Sequence, residues 1–262
     1  MKIGFLGAGA MGGAILAGAV NAGVLDPKDV YVYDVSEKIL EKYADMGCNI
    51  CKDNEALGNA SDIVVLAVKP QYAAPALATL GNTMDGKAVI SIMAGATTER
   101  IRSMIRGNIR VLRCMPNTPA LVNAGAFALC NETDLTAEEK AFAEKLFTSI
   151  GIVEWMSEKL IDTACGLSGS GPAFVALFIE ALADGGVLEG LPRATAYRLA
   201  AQTVMGTAKL VMDTGMHPGQ VKDMVSSPGG TTITGCQVLE EMGFRAAAID
   251  AVQAATNKSR QL

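Results

Sequence analysis

The stretch that decides the fold is IGFLGAGAMGG, residues Ile3–Gly13, in which a short apolar run leads directly into closely spaced glycines. Gly7, Gly9 and Gly12 match the spacing G-x-G-x-x-G between a predicted strand, Ile3–Leu6, and a predicted helix. The first glycine permits a tight turn, the second lets the backbone approach a pyrophosphate, and the third lets the helix pack against the strand. Because amides at a helix N-terminus attract negative charge, we predict a dinucleotide-binding loop.

The same alternation of apolar run and helical stretch continues through the N-terminal half. Further apolar runs are Val30–Tyr33, Ile63–Val68, Ala88–Ile92 and Val111–Cys114, and the helical stretches include Met11–Ala22, Ser36–Met46 and Thr97–Ile105. Runs that are apolar throughout are typical of parallel strands covered on both faces. We therefore predict an α/β fold, a Rossmann-type doubly wound parallel sheet, over residues 1–157.

After about Ser157 the strand-like runs stop and apolar helical patterns take over. They cover Ala173–Leu188, Arg193–Asp213 and Phe244–Asn257. The first two are too apolar around their circumference for a freestanding bundle, so we expect them to pack against a second subunit. Residues 158–262 are accordingly predicted to form an all-α dimerisation domain.

Composition limits the partners. The 262 residues include 22 basic and 27 acidic side chains without long runs of either sign, so no nucleic-acid partner is predicted. Ala173–Leu188 is interrupted by Glu180 and Asp184 and is shorter than the ~20 residues that span a bilayer, so we expect a buried helix and no membrane partner. The first residues lack the apolar region of a secretory signal, which favours a cytoplasmic location.

The cysteines predict no metal site. Cys48 and Cys51 form the pattern C-x-x-C, but the sequence contains no second pair of this kind and its one histidine, His217, is remote. We interpret these two cysteines as structural residues of a short strand, and His217 as an ordinary helix cap.

Asp34 bears on the choice of dinucleotide. It ends the second predicted strand, where a carboxylate accepts the ribose hydroxyls of NAD and repels the 2′-phosphate of NADP. We predict that NADH is favoured, with NADPH use left open through Ser36 and Lys38. Further along the sheet, AVKP (Ala67–Pro70) places Lys69 beside the predicted cofactor, whereas MAGAT (Met93–Thr97) and MPNTP (Met115–Pro119) leave room for the nicotinamide.

A second glycine-containing stretch, SSPGGTT (Ser226–Thr232), leads into the helical pattern Ile233–Met242. Backbone amides of such a turn can bind a carboxylate without a cationic side chain, so we predict a second anion site. The alternative interpretation is a helix N-cap formed by Thr231 or Thr232. For Ser168 and Ser170, which precede the Ala173–Leu188 pattern, a functional role and close subunit packing both stay open.

Taken together, these motifs resemble pyrroline-5-carboxylate reductases. The segments that carry the resemblance are GAGAMG, LAVKP, AGAT, RCMPNTP, CGLSGSGPAF (Cys165–Phe174), DGGVLEGLPR (Asp184–Arg193), HPGQ (His217–Gln220) and VSSPGGTT (Val225–Thr232). The resemblance covers essentially the whole chain. It implies reduction of the cyclic imine L-1-pyrroline-5-carboxylate to L-proline with NAD(P)H, by homodimers joined through the helical domain that in this family often assemble into rings.

The resemblance also implies site residues. Cofactor contacts are expected from Phe5, Leu6, Gly7, Ala8, Gly9, Ala10, Met11, Gly12, Asp34, Ser36, Asn54, Val68, Lys69, Pro70 and Ala94. The substrate carboxylate is expected on Ser227, Gly229, Gly230, Thr231 and Thr232, with the Thr232 hydroxyl near the ring nitrogen as the catalytic contact. Relatives commonly have Ser, or Asn followed by Arg, where this chain has Asp34 and Val35, a departure that bears on the usual NADPH preference.

Imine reduction requires a hydride donor and a proton for the nitrogen, but neither a metal nor a covalent nucleophile. Two alternatives stay open. A β-hydroxyacid dehydrogenase-like oxidoreductase would need a catalytic lysine, for which Lys159 is the nearby candidate. A non-enzymatic dinucleotide sensor would have no use for the second loop.

Overall fold

The computed structural model describes residues 1–262, except for the side chains of Pro70 and Asn82. The chain forms two compact units. The first contains Met1–Ser170 together with Gln253–Leu262, and the second contains Gly171–Val252.

The first unit is built on an eight-stranded sheet with the order β3-β2-β1-β4-β5-β6-β7-β8. Its strands are β1 Ile3–Leu6, β2 Val30–Tyr33, β3 Asn49–Ile50, β4 Ile63–Leu66, β5 Ala88–Ser91, β6 Arg110–Met115, β7 Gly125–Cys130 and β8 Gly151–Met156. Neighbouring strands are parallel except β6 and β7, which are antiparallel. The predicted α/β class with a doubly wound sheet is confirmed, and the carboxyl ends of β1 to β6 lie along one edge.

Helices of the first unit connect these strands. They are α1 Ala10–Asn21, α2 Glu37–Asp45, α3 Asn54–Ala60, α4 Pro70–Leu80, α5 Thr98–Met104, α6 Ala137–Thr148 and α7 Glu158–Ala164. Several have side-chain caps: Thr97 Oγ1 accepts a hydrogen bond from the Arg100 amide (3.2 Å), and Thr136 forms a capping box with Glu139. Ser36 occupies the N-cap position of α2 but makes no capping hydrogen bond with its side chain.

The central strands are apolar throughout because both faces of the sheet are covered. In β4, Ile63 and Val65 join the hydrophobic cluster on one face, whereas Val64 and Leu66 join the cluster on the other. All four residues are fully buried. This alternation of side chains across the sheet explains why the apolar runs predicted these strands.

Two strands, β7 and β8, were not among the predicted runs. β8 is the edge strand, and its exposed Ile152 and Glu154 alternate with half-buried residues. An edge strand of this kind lacks the continuous apolar run that marked the central strands. β7 pairs antiparallel with β6 through Cys114 and Met115, which adds an antiparallel step to an otherwise parallel sheet.

The second unit is helical, as predicted. It contains α8 Gly171–Leu188, α9 Arg193–Thr214, α10 Pro218–Met224, α11 Thr231–Glu241 and the first part of α12 Phe244–Ser259. Small side chains let α8 and α9 pack closely, with Ala183, Ala196 and Ala200 buried between them.

The expectation that α8 is a buried helix is wrong within this chain. Of its residues only Ala183 is buried, and Leu177 is 65% exposed. By length and composition alone, the helical stretch Glu158–Leu188 is also apolar enough to cross a membrane. The physical reason is that the second unit does not cover its own apolar helices, and an exposed apolar surface of this extent indicates an interaction site.

Candidate functional site

The first loop joins β1 to α1 at the carboxyl edge of the sheet. Phe5 and Leu6 are buried strand residues, so any cofactor contact they make comes from the backbone. The Gly7 amide donates to the Tyr33 carbonyl (2.9 Å), which ties the loop to the end of β2. Gly7 has φ of +88°, a conformation that favours glycine and that makes the tight turn possible.

The glycines of this loop fit a bound pyrophosphate. A Cβ on Gly12 would lie 2.5 Å from the Gly7 carbonyl oxygen and 2.7 Å from Ala67 Cβ, so only glycine allows α1 to pack this closely. A Cβ on Gly9 would meet no atom of the described residues within 4 Å, which leaves open space beside the backbone. Within the described residues, the amides of Ala10 and Met11 have no hydrogen-bond acceptor. Open space and unpaired amides at a helix N-terminus are what a phosphate group requires.

Asp34 is joined to this loop in a way that the sequence did not indicate. The Ala8 amide donates to Asp34 Oδ2 (2.8 Å), and the Ser36 amide donates to Asp34 Oδ1 (3.0 Å). Each carboxylate oxygen has capacity for a second hydrogen bond. Asp34 therefore fixes the glycine loop and still has acceptor capacity for ribose hydroxyls.

The other predicted cofactor residues follow the ends of neighbouring strands. Val68, after β4, lies beside Gly7, since a Cβ on that glycine would be 3.3 Å from Val68 Cγ1. Lys69 is exposed at the N-cap of α4. Ala94 follows β5 and packs on the cluster that contains Met115. The side chain of Pro70 lies outside the described residues.

Asn54 begins α3, and its side chain makes hydrogen bonds within the protein. Its Nδ2 donates to the Ala76 carbonyl (2.9 Å) and to the Thr79 hydroxyl, both on α4. Its Oδ1 is buried without a hydrogen-bond partner in the described part of the chain. The amide group thus connects α3 to α4, and only its unpaired oxygen offers a further polar contact.

The second loop, Ser226–Thr232, precedes α11 in the helical unit. Gly229 has φ of +67°, and the Gly230 amide closes a turn on the Ser227 carbonyl (3.0 Å). The N-cap residue is Gly230, not Thr231 or Thr232, and no side chain caps the helix. Among the described residues, the amides of Thr231, Thr232 and Ile233 consequently have no acceptor.

The hydroxyl of Thr232 completes this second loop. Thr232 is half-buried, and within the described chain its hydroxyl makes no hydrogen bond. Two residues further on, the Thr234 hydroxyl donates to the Gly230 carbonyl (3.1 Å). Unpaired amides and an unpaired hydroxyl at one helix start can recognise a small anion that also carries a nitrogen.

Comparison with known proteins decides the family. Residues 158–262 match the family model described as pyrroline-5-carboxylate reductase dimerisation, and residues 2–95 match that described as NADP oxidoreductase coenzyme F420-dependent. The chain is 44% identical to a pyrroline-5-carboxylate reductase of Methanosarcina acetivorans over 263 residues, which cover 100% of this chain and 97% of that one. Its identity to the enzyme of that name from Escherichia coli is 43%, covering 100% and 98% of the two chains. The chain belongs to the pyrroline-5-carboxylate reductase family.

A solved structure supports the same assignment. Plasmodium falciparum pyrroline carboxylate reductase with NADP bound is 35% identical, with a TM-score of 0.91 over 100% of this chain and 97% of that one. The predicted family, fold class and enzyme class are confirmed: this member of the pyrroline-5-carboxylate reductase family is an NAD(P)H-dependent oxidoreductase. Lys159, on which the dehydrogenase alternative depended, is exposed on α7.

Two further segments of this pyrroline-5-carboxylate reductase family member can be compared with their sequence interpretation. Ser168 precedes α8, as expected, and it lies in a π-helical turn, Cys165–Gly169, in which its hydroxyl donates to the Ala164 carbonyl (2.9 Å). Such turns often occur at functional sites. In the sequence, only the run of small residues around Ser168 distinguished this segment from an ordinary helix. His217 is the N-cap of α10, as interpreted, because its Nδ1 accepts from the Gly219 amide (3.0 Å).

The cysteines take no part in either loop. Cys48 and Cys51 are buried, and burial raises the pKa of both thiols; nearby Asp53 raises that of Cys51 further. Burial also raises the pKa of Cys114 well above its ordinary value. Thiols with raised pKa values are weak nucleophiles and poor metal ligands at neutral pH.

Proposed function

We propose that the chain reduces L-1-pyrroline-5-carboxylate to L-proline with NADH, as a cytoplasmic enzyme of proline biosynthesis. The observation that carries the proposal is the start of α11, where the amides of Thr231, Thr232 and Ile233 follow a glycine turn and have no acceptor in the part of the chain that the structure describes. Such a helix start binds a small carboxylate. It occurs in a member of the reductase family that also has a separate dinucleotide loop.

The dinucleotide is held by Gly7–Gly12 and the first turn of α1, whose amides face the pyrophosphate. Asp34 accepts the ribose hydroxyls, and a 2′-phosphate in that position would meet its carboxylate, so NADH is preferred to NADPH. When bound, the reduced nicotinamide supplies a hydride to the imine carbon. The remaining predicted contacts belong to the same proposal: Ser36, Asn54, Val68, Lys69, Pro70 and Ala94.

The substrate carboxylate is bound by the amides that begin α11, within a turn shaped by Ser227, Gly229 and Gly230. The Thr232 hydroxyl hydrogen-bonds the ring nitrogen and so orients the C=N bond. In the reaction the imine carbon gains a hydride and the nitrogen gains a proton from solvent, which converts the C=N double bond to a single bond. Because a protonated imine is already electrophilic, the chain's task is to position it.

The chain works as two domains, residues 1–157 and 158–262, and as a homodimer formed through the second; within one chain, residues 158–170 and Gln253–Leu262 nevertheless belong to the first compact unit. Support comes from the exposed apolar side chains of α8 and α9, including Leu177, Leu199, Met205 and Met212. A second copy would cover this surface, so neither a membrane nor a nucleic acid is needed as a partner. Further association of such dimers into a ring is part of the proposal. Light scattering at micromolar concentration should give at least a dimeric mass, and a monomeric mass would contradict this arrangement.

The test of the reaction is to follow NADH and NADPH absorbance with pyrroline-5-carboxylate and to identify proline as the product. We expect oxidation of both cofactors, with a higher kcat/KM for NADH. A small β-hydroxy acid with NAD⁺ serves as the comparison substrate. Oxidation of that acid without turnover of the imine would contradict the proposal, and a strong NADPH preference would contradict the role given to Asp34.

A further inference from the structure

The loop that follows β5, Met93–Thr97, is held in place by contacts with residues far away in sequence. Its glycine, Gly95, has φ of +70° and lies between Ala94, a predicted cofactor contact, and the buried Ala96. The first unit also contains Gln253–Leu262, which returns to this part of the sheet. The position of the loop therefore depends on contacts with residues outside Met93–Thr97.

The first of these contacts is made by Leu262. A Cβ placed on Gly95 would lie 2.4 Å from Leu262 Cβ and 3.2 Å from its Cα, so Leu262 packs directly on the bare face of the glycine. Arg100 Nη1 donates to the Leu262 carbonyl oxygen (2.8 Å) across 162 residues of sequence. Gly95, Leu262 and Arg100 together are called the loop support below.

Two further groups hold the same region. The Thr98 amide donates to Glu158 Oε1 (2.6 Å), which fixes the start of α5 immediately after the loop. Asp162 Oδ1 accepts from Ser259 Oγ (2.9 Å) and from the buried Arg113 (2.8 Å), which anchors the segment that carries Leu262. The loop support is thus attached to the core through Asp162 and Arg113. Because Leu262 packs on Gly95, a displacement of Leu262 displaces the loop.

We propose that Arg100 is a positioning residue for cofactor binding, acting through Leu262 on Gly95 and so on Ala94. The inference rests on the proposed function, because it takes Ala94 as a cofactor contact. Arg100 need not touch the nucleotide. Its hydrogen bond holds Leu262 against Gly95, and this contact holds the neighbouring Ala94 in place. A small displacement of Ala94 would weaken its contact with the cofactor and so lower the affinity.

Two pairs of variants test the proposal. Arg100→Gln removes the hydrogen bond to Leu262, whereas the matched control Arg102→Gln, on the same helix, removes a surface ion pair with Asp134. Leu262→Gly removes the Cβ that packs on Gly95, whereas Leu262→Ala keeps it. Calorimetric Kd values for NADH, melting temperatures, and KM for NADH and for the imine are measured on all four full-length proteins.

We expect Arg100→Gln to raise the Kd and the KM for NADH about fivefold and Leu262→Gly about threefold, with the KM for the imine unchanged. The two controls should stay within about 1.5-fold of the original protein. An NADH Kd for Arg100→Gln equal to that of Arg102→Gln would overturn the proposal. So would an effect of Arg100→Gln without one of Leu262→Gly, because Arg100 would then act through its own charge.

The outcome separates this inference from the proposed function. If the original protein binds NADH but does not oxidise it with pyrroline-5-carboxylate, the proposed substrate is wrong, and the Kd values still decide the role of Arg100. If the imine is turned over and the four variants bind NADH equally, only the positioning role fails.

Discussion

The two glycine-containing loops differ in what holds them in place. The first is fixed by the chain itself: the Gly7 amide bonds the Tyr33 carbonyl, the Ala8 amide bonds Asp34, and a side chain on Gly12 would collide with backbone. The second loop is tied only to its neighbours in sequence among the described residues: the Ser226 amide donates to the Asp223 carbonyl (3.1 Å), the Ser226 hydroxyl to the Lys222 carbonyl (2.7 Å), and the Gly230 amide to the Ser227 carbonyl (3.0 Å). A Cβ on its Gly229 would meet no described atom within 4 Å.

The difference shows that similar glycine content serves two purposes. In the first loop glycine is required by close packing between α1 and the sheet, so the loop is in place before any ligand arrives. In the second, Gly229 permits the turn and Gly230 avoids a clash with the Ser227 hydroxyl, and three amides and the Thr232 hydroxyl have no partner among the described residues. Unpaired polar groups of this kind gain most from a ligand that binds them, which supports the proposal that the second loop recognises the substrate.

The largest expected effect tests the role of the Thr232 hydroxyl separately from that of the backbone amides of α11. Thr232→Ala should lower kcat about 100-fold, because the hydroxyl that is proposed to hydrogen-bond the reacting nitrogen is lost. Steady-state kinetics with NADH and the imine measure this effect. Thr234→Ala is the matched control, since the Thr234 hydroxyl only bonds the Gly230 carbonyl. Near-normal turnover of Thr232→Ala would show that backbone amides alone orient the substrate.

The next effect tests whether the first loop is set by packing. Gly12→Ala should weaken NADH binding about 30-fold and lower stability by about 2 kcal/mol, because the new Cβ overlaps the Gly7 carbonyl. Gly9→Ala is the paired variant: its Cβ would meet no described atom within 4 Å, so binding should weaken without loss of stability. Calorimetry and thermal unfolding distinguish the two. Equal stability of both variants would contradict the packing role of Gly12.

A smaller effect is expected at Asp34, which belongs to the first loop through its bond from the Ala8 amide. Asp34→Ser should shift the ratio of kcat/KM for NADH to that for NADPH about tenfold toward NADPH, because the carboxylate that repels a 2′-phosphate is gone. Asp34→Asn removes the charge and keeps one of the two accepting oxygens. If Asn and Ser variants leave the ratio unchanged, the charge of Asp34 has no part in cofactor choice.

Much of the fold could be predicted from local patterns. The strands β1, β2, β4, β5 and β6 were anticipated within about two residues, because side chains buried on both faces make each run apolar. β8 was missed because Ile152 and Glu154 alternate with half-buried neighbours at a sheet edge. For α8 the expectation of a helix buried within its own chain was wrong, whereas its packing against a second subunit stays a prediction, because an apolar sequence alone does not say which chain covers it.

The site was predicted less completely, for a physical reason. G-x-G-x-x-G describes a turn whose constraints are local, so the positions of Gly7 and Gly12 follow from spacing. The bonds from the Ala8 amide to Asp34 and from the Thr98 amide to Glu158 join residues 26 and 60 positions apart. Contacts of this range depend on which strands become neighbours, and no local pattern contains them.

The smallest expected effect concerns Gly229 and completes the comparison. Its φ of +67° makes Gly229→Ala unfavourable by about 1 kcal/mol, although a Cβ there meets no atom within 4 Å. We expect about a threefold rise in the KM for the imine and no change in the Kd for NADH. The reason is that the strain falls on the turn that precedes the α11 amides proposed to bind the substrate carboxylate. Gly215→Ala is the matched control, because Gly215 has the same φ of +67° and open space but lies at the end of α9. Equal KM values for the two variants would mean that the second loop tolerates distortion and that its glycine serves the turn alone.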